Sequence, residues 1–370
     1  MFFIENIFAH FIDIQYICQR KNAIFMKSFK KHRDYGFFDQ DIRLSKLSQL
    51  GDPLERLNKG IDFEMFRSLL EQKLTIVAKA KGGRPPYDYV MMFKILILQR
   101  YYNLSDDQVE YQINDRMSFM RFLNLSIADD IPDSKTVWNY REQITDLELV
   151  TPLFDLFLKE LDKLGLVVNE GKIIDASFIE VPRQRNSREE NKTIKDDKIP
   201  EQWKKNEHKL SQKDTDARWT KKNNVTFFGY KNHVKADSGS KIITKYEVTP
   251  ANDHDSQPLD KLLEDRDKGE KLYGDSAYKG EKQEGIIAAK QLENQVNEKG
   301  YRNCPLTENQ IADNKEKSKV RARVEHLFGF MENSMNQMFI QSIGIKRASA
   351  IIGMMNLTYN MFRKLQLQQL

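Results

Sequence analysis

Cysteine is scarce: two occur in 370 residues, Cys18 and Cys304, far apart and outside any CxxC spacing. That excludes a disulfide framework and a cysteine zinc site, and fits a reducing compartment. Long apolar runs are also missing. No stretch of roughly 18 uncharged apolar residues occurs, so no transmembrane helix is expected. The nearest approach, Tyr89 to Leu98, is short, contains Lys94, and reads as a helix buried in a core. The first 18 residues are rich in Phe and Ile but have no basic leader, which makes a poor signal peptide. Met26 opens a more polar stretch and is a candidate true start; a genuine amphipathic N-terminal helix is the alternative. A large charge of one sign is absent as well: 59 Lys and Arg face 54 Asp and Glu, a net +5. This permits nucleic-acid binding without requiring it.

The basic excess is local. Between Arg183 and Asn224 stand 13 Lys and Arg against 8 Asp and Glu, an excess equal to that of the whole chain. Residues 41–150 read as helical. Asp62 can cap a helix carrying Phe63, Phe66, Leu69 and Leu70, and a Gly/Pro break follows at Lys81-Gly-Gly-Arg-Pro-Pro86. Ser105 and Gln108 form a capping box for a helix to about Asp115. Phe119, Phe122 and Leu123 suggest another, and Asp133 or Ser134 caps the next, which carries Trp138. Short capped helices suit a helix-turn-helix DNA reader, although small bundles share the pattern.

A helix with Thr151-Pro152 at its start and Gly165 past its end leads into strands. These are expected over 171–181, 227–235 and 242–248, with a turn at Asp237-Ser-Gly-Ser240. A helix from Ser256 to Arg266, a short strand over 271–274, a helix over 278–290, a strand near 294–296, a long helix from Ser318 to Asn333 and an apolar helix over 348–367 follow. That order is α/β, a ribonuclease-H-like domain with a mixed sheet flanked by helices, preceded by an all-α N-terminal domain. The expected boundaries are an extension over 1–50, partly mobile, a helical DNA-binding domain over 51–150, and a catalytic domain over 151–370. Residues 183–224, poor in aliphatics and dense in charge, read as a partly mobile insertion in the last of these.

Three acids stand where such a fold can use them. Asp175 lies within the apolar strand Ile173-Ile-Asp-Ala176, Asp275 follows a short strand, and Glu325 sits inside a helix. Phosphodiester cleavage needs an activated attacking oxygen and a stabilised leaving oxygen, which two divalent cations roughly 3.5–4 Å apart can supply. Hard ions such as Mg²⁺ take carboxylate oxygen. Taken singly, Asp275 is equally a turn residue and Glu325 an i,i+4 partner of Arg321. Asp175 is the hardest to explain structurally, because burying a carboxylate is expensive. Spacing alone leaves the choice open.

The motifs, in order and spacing, carry more. From about Asp52 onward the chain resembles the DDE transposases of the bacterial insertion-sequence-five family. The helical part is similar in Gly83-Arg-Pro-Pro-Tyr87, Leu98-Gln-Arg-Tyr-Tyr-Asn-Leu-Ser105 and Pro132-Asp-Ser-Lys-Thr136. The catalytic part is similar in Ile174-Asp-Ala-Ser177, Pro182-Arg-Gln-Arg-Asn186, Asp214-Thr-Asp-Ala-Arg-Trp219, Gly229-Tyr-Lys-Asn-His233, Gly274-Asp-Ser-Ala-Tyr278 and Val320-Arg-Ala-Arg-Val-Glu-His-Leu-Phe-Gly329.

The resemblance implies a triad of Asp175, Asp275 and Glu325 binding two Mg²⁺ or Mn²⁺ ions. It implies cleavage at terminal inverted repeats, joining of the 3′-hydroxyl to target DNA, a homodimer or larger assembly on DNA, and a cytoplasmic, nucleoid-associated location with no membrane. Arg321 matches the arginine four residues before the catalytic Glu. Two positions depart: Ser318 stands where a tyrosine is usual, and Glu332 where a DNA-contacting lysine is usual, with Lys346 and Arg347 as candidate replacements. The expected DNA-binding residues are Arg321, Lys231, Arg183, Arg185, Lys221 and Lys222. Tyr230, Lys231 and His233 read as outward-facing strand residues or phosphate-orienting groups, His254-Asp-Ser256 as a helix entrance capped by Ser256 with a metal role as the alternative, and His326 as structural. Trp203 and Trp219 are candidates for base stacking or for anchoring the insertion. Two rivals remain, a nuclease that hydrolyses without joining and an inactive copy acting as a DNA-binding repressor.

Overall fold

Short polar side chains open the helices largely where the sequence places them. The computed structural model describes residues 36–75, 85–302, 304–335 and 338–369, with Lys30 and Asp34. The expectations for the first 25 residues and for most of the Lys81 to Pro86 break lie outside these. The chain divides into Met1–Leu47 and Ser48–Leu370. Helix α1, Asp39–Gln49, dominates the described part of the first unit and buries no side chain. In the second, Asp52 caps α2 (Pro53–Gly60), and Asp62 caps a 3₁₀ turn, Phe63–Phe66, that runs into α3 (Arg67–Leu74). Asp88 caps α4 (Tyr89–Tyr102), which is buried on nearly every side from Val90 to Gln99 and stops at Asn103 in the left-handed conformation, φ 49°. Ser105 and Gln108 form the expected capping box of α5 (Asp106–Asp115). Then come α6 (Met117–Leu123), α7 (Ser134–Asp146), capped by Asp133, and α8 (Val150–Lys163).

The remaining elements are β1 (Gly171–Glu180), α9 (Arg188–Lys195), α10 (Glu201–Lys204), α11 (Glu207–Ser211), β2 (Arg218–Lys222), β3 (Val225–Asp237) and β4 (Ile243–Pro250). They continue with α12 (Leu259–Leu262), β5 (Lys271–Tyr273), α13 (Glu281–Ala289), β6 (Glu293–Asn294), α14 (Glu308–Arg321), α15 (Arg323–Asn333) and α16 (Ile345–Leu367).

One mixed sheet holds all six strands of the described residues. β1 pairs antiparallel with β3 on one side and parallel with β5 on the other, and β5 pairs parallel with β6. Gly229 faces Glu180 of β1 and Arg218 of β2, so β2 and then β4 follow one another along the outer edge of β3. Alternation along β1 divides the core. Ile173 and Ile179 join a large cluster with α4, α8 and α16, so helical and sheet regions share one hydrophobic interior. Ile174 packs on the other face with Leu259, Leu263, Leu272, Tyr278 and Ile287. Helices therefore cover both faces. Polar groups buried under α16 are matched: Asn356 and Asn232 exchange amide hydrogen bonds at 2.8 and 3.1 Å, and the Asn360 amide bonds both the N–H and the C=O of Ile243.

Three expectations are corrected. The insertion, expected to be partly mobile, has three short helices and contributes β2 to the sheet; Trp203 is fully buried in it and donates to Glu190 at 2.6 Å, an anchor and not a stacking surface. The helix from Ser256 to Arg266 shrinks to α12 and a 3₁₀ turn, because buried Lys235 draws in both Glu264 and Asp267, and the chain is extended at Leu263 and Glu264 to reach it. The long helix from Ser318 breaks at Ala322. Among the described residues no helix is long and apolar enough to cross a membrane.

Candidate active site

β5 pairs with β1 only over Gly171–Ile173, so β1 runs on past its neighbour. Carrying that register two residues further sets Asp275 beside Asp175. The chain leaves β5 through Gly274, where a Cβ would press on Ile174 Cγ1 at 3.1 Å and Tyr278 Cδ2 at 3.2 Å. Asp275 then caps a 3₁₀ turn, its Oδ1 accepting from Ala277 N at 2.8 Å. Asp175 Oδ1 accepts from Ala176 N at 2.8 Å and Oδ2 from Arg321 Nη1 at 3.0 Å. Burial pushes the Asp175 carboxyl up to about 6; the Ala176 N–H and the Arg321 charge pull it down, while the neighbouring Asp275 charge adds to the rise.

A third group joins them that the sequence reading quoted without assigning a role. Tyr278 is 1% exposed, and its hydroxyl has no hydrogen-bond partner among the described residues. Burial first, and then the charges of Asp175, Asp255 and Asp275, hold this phenol protonated. Its place three residues after Asp275, at the end of the same turn, was the available signal. Asp255, read as part of a helix entrance with a metal role as the alternative, acts on Tyr278 as well. It stands in the loop after β4 and pairs with Lys231 Nζ at 2.7 Å.

Glu325 is not brought into this cluster. It is the third residue of α15, exposed, with no hydrogen bond or ion pair from its side chain among the described residues. No three acidic, His or Cys side chains among the described residues are grouped to hold a metal ion. Arg321 ends α14 and reaches Asp175, whereas Glu325 lies beyond Ala322 in the next helix. Arg321 accordingly pairs with Asp175 and not, as an unbroken helix would allow, with Glu325. Asp175 and Asp275 suit a hard divalent cation, with mutually repelling carboxylates and an orphaned buried hydroxyl beside them. Among the described residues no third carboxylate is grouped with them.

The other expected contacts sort by exposure. Lys222 and Lys221 are exposed at the tip of the β2–β3 hairpin, whose turn residues Asn223 and Asn224 have φ of 49° and 64°. Lys222 is near enough to influence Asp175. Arg183 and Arg185 are exposed, Arg183 lying 5.8 Å from the Trp219 ring, which is itself 41% exposed. Lys231 is a correction: it is buried, and its ammonium is held by Asp255 and the Asp253 carbonyl instead of facing solvent. Tyr230 and His233 are buried too. Tyr230 donates to the Asp214 carboxylate, which also accepts from Ala217 N and Gly344 N, so this network ties the end of the insertion to the start of α16. His233 bonds Thr249 Oγ1 at 2.8 Å, and burial pulls its imidazole down to about 4. His254 bonds Ser256 Oγ, which caps no helix, and His326 is exposed on α15. Ser318 accepts from the Asn297 amide, Glu332 is exposed, and Lys346 and Arg347 are engaged by Asp146 and Glu142 of α7.

A family model described as "Transposase DDE domain" matches residues 168–361, more than half of the chain and all of the sheet. The chain belongs to the DDE transposase family. A second model, "Transposase domain (DUF772)", matches residues 42–143 of this transposase, the helical region from α1 to α7. Among solved structures, the cryo-EM structure of a piggyBac transposase synaptic complex with hairpin DNA is similar over 88% of this chain and 77% of its own, with 12% identity and a TM-score of 0.41, a likeness too distant to bear on the fold.

Proposed function

We propose that this transposase cuts DNA at the terminal inverted repeats of an insertion sequence of the insertion-sequence-five type and joins the freed 3′-hydroxyl to target DNA, with Asp175, Asp275 and Glu325 as its catalytic carboxylates. The observation that carries the reading is the nearness of Asp175 and Asp275, whose charges act on each other just past the end of the β1–β5 pairing, inside a matched DDE domain. The strand order β4–β3–β1–β5–β6, antiparallel then parallel, supports a ribonuclease-H-like sheet.

Asp175 and Asp275 would hold a cation between them, and Glu325 would complete the set by a movement of α15 about the break at Ala322. When bound, one or two Mg²⁺ or Mn²⁺ ions supply the positive charge that activates the attacking oxygen and stabilises the leaving one. Arg321 compensates Asp175 until a cation does so. Tyr278, protonated and without a partner among the described residues, would donate to an oxygen bound near the aspartates. Lys221, Lys222, Arg183 and Arg185 are exposed and would bind backbone phosphate, so affinity should fall with salt. The helical region, 51–150, would read the repeat ends, and cutting two ends together would take at least a dimer.

Nicking of a labelled duplex carrying the flanking repeats tests this. Cleavage at the repeat end followed by joining to a second duplex supports it. Cleavage without joining selects a hydrolytic nuclease, and specific binding without cleavage selects a DNA-binding repressor.

A further inference from the structure

Away from the carboxylates, α4, α5 and α7 meet the segment that leads into α16 around a cavity of about 220 Å³, roughly seven water volumes at ~30 Å³ each. Two arginines line it. Arg141 is fully occupied: it holds both oxygens of Asp106, with Nη2 to Oδ2 at 2.9 Å, and Asp106 also accepts from Gln99. Arg100 has no hydrogen bond or ion pair among the described residues, although it is half-buried and lies beside a like charge. Asp106 is the single carboxylate on the cavity wall, so the two guanidinium groups leave one positive charge unanswered. The rest of the polar lining, including Asn103, Gln341 and Ser342, is neutral and can donate hydrogen bonds. Burial first and then Arg141 draw the Arg100 guanidinium down to about 10 against the opposing charge of Asp106, which leaves it charged at neutral pH.

A half-buried cation whose nearest carboxylate, Asp106, is already held by Arg141 is unfavourable unless a further anion enters. The planar fork of a guanidinium suits a phosphate oxygen pair. The cavity wall also has a fixed relation to the candidate active site, because Ile340 N donates to Glu180 O at the end of the strand that carries Asp175. Five residues of strand at about 3.3 Å each place Glu180 about 17 Å from Asp175, on the order of five base-pair rises.

We propose that Arg100, in the cavity it shares with Arg141, is a phosphate subsite for the DNA backbone, clamping the duplex several nucleotides from the cleaved bond. This rests on the transposase reading, since it takes the bound phosphate to be that of the DNA being cut.

The test uses the full chain with Arg100→Met and Arg100→Lys, each first shown to melt cooperatively. Binding to a repeat-end duplex is followed by fluorescence anisotropy between 50 and 200 mM salt. One lost phosphate contact lowers the salt slope by about 0.9, so wild type should lose about 3.5-fold more affinity over that range than Arg100→Met, with Arg100→Lys close to wild type. In parallel, inorganic phosphate at matched ionic strength should raise the Tm of wild type and not that of Arg100→Met. An unchanged slope with no phosphate effect overturns the site. A phosphate effect with an unchanged slope assigns a free oxyanion there and overturns the DNA assignment. Failure of wild type and variants alike to bind the duplex refutes the transposase reading and the subsite with it.

Discussion

Acidification should weaken the fold through His233 by an amount the structure sets. The imidazole is fully buried between β1 and β4, bonded to Thr249 Oγ1, and its Nδ1 has no partner among the described residues. Burial lowers it to about 4 from 6.5; Asp255 opposes the shift and Lys231 adds to it. The folded state therefore binds fewer protons than the unfolded chain between these values. Stability from this group is complete above 6.5 and is lost as pH falls toward 4. Between pH 7 and pH 5 the loss comes to about 2 kcal/mol. Asp175 works against it, because its raised carboxyl favours the folded state as the pH falls through 6, so wild type alone does not isolate the effect. The difference between wild type and His233→Gln does, since the amide can still bond Thr249 and does not titrate. Urea unfolding at pH 7, 6 and 5 should show wild type losing about 2 kcal/mol more than His233→Gln. Parallel curves would refute a buried neutral imidazole.

Three further predictions concern packing and the cluster. Tyr278→Phe removes a hydroxyl that has no partner, so the variant should be as stable as wild type or slightly more so while nicking falls; a destabilised variant with full activity would show the hydroxyl to be structural. Gly353→Ala puts a Cβ 2.3 Å from Tyr246 Oη and 2.6 Å from Val150 Cγ1, so urea melts should show a loss of about 1–3 kcal/mol, and a neutral result would contradict the close approach of α16 to α8 and β4. Asn356→Leu orphans the buried Asn232 amide and should cost about 1–3 kcal/mol, with Asn232→Leu/Asn356→Leu less damaged than the sum of the single changes; an additive double mutant would deny the pairing.

Much of the fold was legible because its signals are local. Ser105 with Gln108 and Asp133 are caps whose chemistry does not depend on the rest of the chain. Branched residues over 171–181 marked β1, and Asp175 stood out because a carboxylate among buried aliphatics demands a partner. What stayed hidden depends on distant contacts. Tyr230, Lys231 and His233 read as outward polar residues, yet β3 is central and covered on both faces, and each finds its partner from a different element: Asp214, Asp255 and Thr249. The basic insertion looked like solvated charge because one tryptophan core and five residues of edge strand leave little trace in composition. The break at Ala322 has no Gly or Pro to announce it, so Glu325 was read onto the same helix as Arg321. Arg100 gave no sign at all, since an arginine in a helix is ordinary until its neighbours prove unable to pair with it.

The separation of Glu325 from the two aspartates bears on how the site works. Arg321 neutralises Asp175 where a cation would otherwise do so, and the helix carrying Glu325 starts two residues beyond it. Exchange of the guanidinium for a cation and closure of α15 are thus one coupled event in this account, with DNA the natural trigger. Glu325→Gln would then leave DNA binding intact and abolish cutting, as measured by anisotropy and nicking on the same duplex.

The most direct measurement is nicking of a duplex bearing the flanking terminal repeats, with Mg²⁺ or EDTA, by wild type and Asp275→Ala. The account predicts a nick at the repeat end that requires both Mg²⁺ and Asp275. Cleavage that persists in EDTA or in Asp275→Ala would contradict it.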